Sequence, residues 1–144
     1  MRPMLLFCCA LSLTACARGG EQAGGEAAAL NLADVAGKWT VQGMAEGSDS
    51  VLITYEVNAT ATTEGWTIVL PGRDPMALHV TTGGDSVVTH VGPFESVLRP
   101  GTQVTTESVM RLVNGQLEGT VVAHYQTAGA DSVVRLRQRG TRAQ

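Results

Sequence analysis

Three histidines, His79, His90 and His124, are the side chains of this chain best suited to proton transfer or metal ligation. Their spacing serves neither purpose. No His-x-His or His-x-x-x-His pair occurs, and a zinc centre needs three or four converging ligands. His79 and His124 fall opposite the apolar rows of their segments, so both are expected to face solvent; the segment around His90 carries Val on both faces and leaves it unassigned. Serine nucleophiles lack a G-x-S-x-G turn, and no Ser-His-Asp order suggests itself. Glu107 and Glu118 read as solvated strand residues rather than as an acid–base pair. The three cysteines, Cys8, Cys9 and Cys16, all lie in the first 16 residues, so the remainder has no thiolate, disulfide or cysteine-based metal site. No catalytic machinery, metal or cofactor is expected.

Two further patterns carry charge. Arg135, Arg137 and Arg139 alternate on one face. Such a row could bind anionic headgroups, but it more often forms a solvated face paired with acids on a neighbouring strand, Glu118 being one candidate. A G-x-D-S-V echo recurs at Gly47–Val51, Gly83–Val87 and Gly129–Val133. It reads as turn chemistry, with Asp and Ser bonding nearby backbone N–H groups. The copies are too dispersed and too poor in carboxylates for a Ca²⁺ loop.

The positioning elements begin with a leader. Met1-Arg2 precedes a short apolar run, Met4 to Leu11, too short to span a bilayer. Leu13-Thr14-Ala15-Cys16 behind that run resembles the lipobox of bacterial lipoproteins. The resemblance implies a signal peptide over residues 1–15 and acylation of Cys16, which anchors firmly because two or more acyl chains are carried. Ala17, where Asp would imply inner-membrane retention, implies an outer-membrane lipoprotein facing the periplasm. Residues 16–30 are rich in Gly and Ala and cannot bury enough surface to offset their entropy, so they read as a flexible tether.

Residues 31–144 read as one domain. Aromatic residues make up 4% of the chain, and the net charge of −3 argues against nucleic acid as a partner. Period-two alternation dominates: Ile53, Tyr55 and Val57 share a face, as do Trp66 and Ile68, then Met76, Leu78 and Val80, then Leu117, Val121 and Tyr125. Strands are predicted over 37–44, 50–60, 64–71, 75–82, 86–91, 94–99, 103–113, 116–126 and 132–140, with Asn114-Gly115 the strongest hairpin cue. A short turn around Asn31–Asp34 precedes them. Short connections imply an all-β, antiparallel up-and-down meander, and closure into a barrel of about eight or nine strands removes its edges.

Gly37-Lys38-Trp39, opening the first strand of such a meander, resembles the G-x-W of the lipocalin and wider calycin families. The resemblance implies a lipocalin-like barrel closed at one end by Trp39, with a late basic residue, Arg137 or Arg139, packed across its ring. It also implies a monomeric module holding a small hydrophobic ligand or lipid among Ile53, Tyr55, Val57, Trp66, Ile68, Leu78, Val121 and Tyr125. A barrel of this size can instead fill itself with side chains and act as a structural or interaction lipoprotein.

Overall fold

A computed structural model describes residues 29–144 of the 144-residue chain. The expected signal peptide, Cys16 and nearly all of the tether lie outside the described residues. Asn31 caps a one-turn helix, α1 (Leu32–Val35), its side chain accepting from the Ala33 amide at 3.0 Å. Nine strands follow: β1 (Gly37–Ala45), β2 (Val51–Ala59), β3 (Thr67–Val69), β4 (Met76–Ala77), β5 (His79–Gly83), β6 (Ser86–Glu95), β7 (Gln103–Val113), β8 (Gln116–Tyr125) and β9 (Val133–Arg142).

All pairings are antiparallel, in the order β4-β3-β2-β1-β9-β8-β7-β6-β5. The two border strands, β4 and β5, are consecutive in the chain and separated only by Leu78. A single run therefore pairs with β3 through Met76 and Ala77, then swings to β6 from His79 onward. The Leu78 amide bonds the Trp66 carbonyl at 2.9 Å across the join. The result is an all-β, nearly closed up-and-down barrel.

The predicted segments hold in outline, though 64–71 shrinks to the three residues of β3 and 132–140 runs on to Arg142; two further differences are larger. The expected strand over 75–82 divides at Leu78, because one run must serve neighbours on both sides to bring the sheet round. The expected strands over 86–91 and 94–99 are instead one, β6, whose register slips between Val91 and Phe94. Gly92-Pro93 sits in that slip, where proline's missing N–H costs no ladder bond. The Asn114-Gly115 cue is borne out. Both residues have positive φ, 50° and 79°, in the two-residue turn that joins Val113 to its partner Gln116. Gly119 permits close approach of β7: a Cβ there would lie 1.9 Å from the Val109 carbonyl oxygen.

The core is the inner face of the alternating strands, with Val35, Trp39, Val41, Trp66, Val87 and Leu117 almost completely buried. One end of the barrel is sealed. Here Val35 of α1 is completely buried, the Leu30 amide bonds the Gly84 carbonyl at 2.9 Å, and the Trp39 indole N–H donates to the Val35 carbonyl at 2.8 Å.

The cation over Trp39 is Arg142, its guanidinium carbon 4.4 Å from the ring centroid, and not Arg137 or Arg139 as the sequence suggested. Strand parity is the reason. Leu136, Gln138 and Gly140 are the buried positions of β9, so Arg135, Arg137 and Arg139 point outward. Arg142 continues the inward row and is the register partner of Trp39. Its guanidinium also donates to the Ala36 carbonyl at 2.8 Å and to the Asp34 carbonyl. Arg139 lies 3.8 Å from Glu118, and Arg137 bonds the Ser48 carbonyl and Asp49 at 2.7 and 2.8 Å.

Arg142→Ala is therefore expected to cost about 2 kcal/mol, since it removes a cation–π contact and two charge-assisted hydrogen bonds. Arg139→Ala should cost at most about 1 kcal/mol, as for exposed ion pairs. Trp39→Ala should cost about 3–5 kcal/mol. Urea unfolding midpoints of the three variants check the ranking.

Candidate functional site

The interior row of β2 places Ile53, Tyr55 and Val57 against β1 partners Gly43, Val41 and Trp39. Across the barrel, the two-residue turn fixes β7 against β8, so Val104, Thr106, Ser108 and Met110 face inward beside Tyr125, Ala123, Val121 and Gly119. The main core runs from Val35 and Trp39 up to Val57, Ile68, Leu78 and Met110, and a second, smaller apolar cluster of Val104, Ala123 and Tyr125 is joined to it through Phe94. Residues of both clusters line a cavity of about 80 Å³.

Seven of the eight residues expected to line a site do line this cavity: Ile53, Tyr55, Val57, Ile68, Leu78, Val121 and Tyr125. Trp66 does not. It is 1% exposed and packs in the main core, its ring N–H bonding the Thr62 carbonyl at 2.7 Å. It belongs to the sealed end because it precedes β3, at the foot of the loop from β2.

Sequence reasoning missed the other wall. Thr89, Thr106, Ser108 and Met110 line the cavity from β6 and β7, and Phe94, Val97 and Leu98 roof it. A signal for the wall existed: once Asn114-Gly115 fixes the hairpin, the inward row of β8 dictates that of β7. The roof carries no such periodicity. It is a turn built by Ser96, whose Oγ accepts from the amides of Leu98 and Arg99 at 3.1 and 3.0 Å. Arg99 then lies over the Tyr125 ring, 4.3 Å from its centroid, and donates to the Asp131 carbonyl at 2.8 Å. This second arginine–aromatic stack holds the roof down to the connection between β8 and β9.

The lining is mostly apolar, with one internal polar chain. The Tyr55 hydroxyl donates to Gln138 Oε1 at 2.7 Å, and Gln138 Nε2 donates to the Thr120 carbonyl at 3.2 Å. Burial pushes the Tyr55 phenol well above its usual range, so it stays protonated and remains the donor. A larger, solvent-open depression of about 470 Å³ lies outside the barrel where β3 parts from the upper half of β2, under the turn from Leu70 to Asp74.

The histidines are all exposed. His79 stands opposite His90, and His90 opposite Glu107, but no group of three metal-ligating side chains forms among the described residues. The three D-S echoes lie at turns, but instead of the expected bonds to backbone N–H groups, the Asp49 and Asp85 carboxylates meet Arg137 and Arg111. In one, the Asp85 carboxyl is held below its usual range by the Ser86 hydroxyl and then by Arg111, 3.0 Å away.

No family model, curated protein or solved structure matches this chain. The class is defined by its architecture alone, a nearly closed antiparallel β-barrel with one sealed end and one roofed cavity.

Tyr55→Phe strips a buried acceptor of its donor and is expected to cost about 1–3 kcal/mol. A double-mutant cycle with Gln138→Leu should return a coupling energy of about 0.5–3 kcal/mol. The pH dependence has a definite sign. Above pH about 10 the unfolded phenol releases its proton while the folded one keeps it. Stability should therefore fall as pH rises through that value, and the fall should be smaller in Tyr55→Phe, as read by denaturant titrations.

Proposed function

We propose that this protein is a membrane-anchored envelope lipoprotein of the outer membrane, facing the periplasm, whose lipocalin-like barrel holds a small hydrophobic ligand without catalysing a reaction. The anchor is the expected acylated Cys16 at the head of the tether. The observation that carries the binding reading is the unequal treatment of the two ends. At the Trp39 end, Val35, Trp39 and Val41 are completely buried. The other end holds a mainly apolar cavity under a single turn pinned by Arg99 on Tyr125. Apolar surface left unfilled beneath a roof has a use if something apolar occupies it.

The volume supports a second reading. About 80 Å³ is small against the ~300–1,000 Å³ of drug-sized pockets. On the binding reading the ligand is slender, or the roof lifts for it. On the alternative, the barrel is filled and acts through its surface as a structural or interaction lipoprotein.

Two experiments test these readings. Protein released from its own membranes and examined by native mass spectrometry should carry a noncovalent adduct that disappears on denaturation. Val121→Trp, which fills the cavity, should lack that adduct while keeping its β circular dichroism. A wild-type protein without adduct would favour the filled barrel. Independently, Cys16→Ser should move the protein from the membrane pellet to the soluble fraction and abolish labelling by palmitate.

A further inference from the structure

The cavity wall is chemically lopsided, and the lopsidedness selects among ligands. On β6 and β7 the lining includes three hydroxyl-bearing side chains, Thr89, Thr106 and Ser108. Thr89 stands directly opposite Ser108 in the ladder, and Thr106 lies two residues along the same inward row. Thr89 and Ser108 are buried, at 4% and 7% exposure. The other side of the barrel, from β2 through Leu78, presents Ile53, Val57, Ile68 and Leu70.

The lining residues carry no formal charge. Arg137 turns its terminal nitrogen to Ser48 and Asp49 outside the barrel, with its Nε buried and unpaired, and Arg99 lies on Tyr125 and Asp131. Tyr55 is already committed to Gln138, and the Ser96 oxygen to two amides of the roof. A carboxylate or ammonium brought into this cavity would lose its water without meeting a counter-charge, a far larger penalty than burying a neutral polar group. A buried hydroxyl, for its part, takes a hydrogen-bond partner from whatever fills the space beside it.

Resting on the binding reading above, we propose that the cavity selects an uncharged amphiphile. Such a ligand is a slender hydrocarbon chain bearing a neutral hydrogen-bonding group, such as an alcohol or an ester or ketone carbonyl. That group docks at the Thr89–Ser108 hydroxyl pair, and the chain lies against the Ile53–Ile68 wall. Free fatty acids and alkylamines of the same length are rejected.

Calorimetric titration of the purified protein with 1-octanol, octanoate, octylammonium and toluene at neutral pH tests this. Toluene asks only for the apolar walls. Octanol is expected to bind about tenfold more tightly than either ion, and Thr89→Val with Ser108→Ala should remove about tenfold of its affinity, the size of one to two hydrogen bonds. Toluene binding should be unchanged in that variant, which also certifies its fold. Octanoate or octylammonium binding as tightly as octanol overturns the proposal, and loss of octanoate binding in Arg99→Ala would then place the head group at the roof. Octanol preference that survives the double substitution overturns the assignment to the hydroxyl pair. If toluene binds while the three chains do not discriminate, this proposal falls and the binding reading stands. If none of the four binds, the binding reading falls with it.

Discussion

The pairing of Trp39 with Arg142 is the constraint from which the rest of the barrel follows. It joins the first strand to the last through register partners on the inner face. It also consumes backbone that a one-turn helix leaves unsatisfied: Arg142 bonds the carbonyls of Asp34 and Ala36, and Trp39 bonds that of Val35. Three successive carbonyls at the end of α1 are thus answered by two side chains stacked on each other. The helix could not hold this position by its own propensity, because one turn is far below the length at which isolated helices persist. Tertiary contacts make it, and it in turn plugs the barrel.

Away from that plug the interior changes character. Around the cavity its polar content rises, first in the Tyr55–Gln138–Thr120 chain and then in the Thr and Ser side chains of β6 and β7. An interior optimised for stability alone would place aliphatic side chains at these positions, since buried polar groups gain little and cost much when unpaired. The packed half supplies stability, and the looser half carries the features on which a binding role depends.

Much of this was legible in the residues. Alternation with branched and aromatic side chains gave the strands, and a two-residue Asn-Gly turn gave one register outright. The inward set of β2 and β8 followed, and with it one wall of the cavity. The misreadings have a common source: parity is easy to read within a strand and hard to carry past its end. Arg142 lies two residues past Gly140, where the alternation of β9 ends in the sequence, yet it keeps the inward parity of Leu136 and Gln138. The hydroxyls of β7 were overlooked because Thr and Ser on an inner face break the rule by which inner faces are recognised. The division at Leu78 cannot be seen locally at all. Both halves are extended chain, and only the need to meet β3 on one side and β6 on the other separates them.

That division has a mechanical consequence. From β5 round to β2 every ladder pairs five residues or more, but β3 is held to β2 by three pairs, and β4 holds β3 through two residues and hands over to β5 at one. A hoop fastened this way has a clasp, and the clasp is the place where it yields first, because opening there breaks the fewest bonds. Leu78 faces the cavity and sits at the clasp. A sideways parting at that point would expose the interior through the flank, leaving both the indole-and-guanidinium plug and the pinned turn overhead undisturbed.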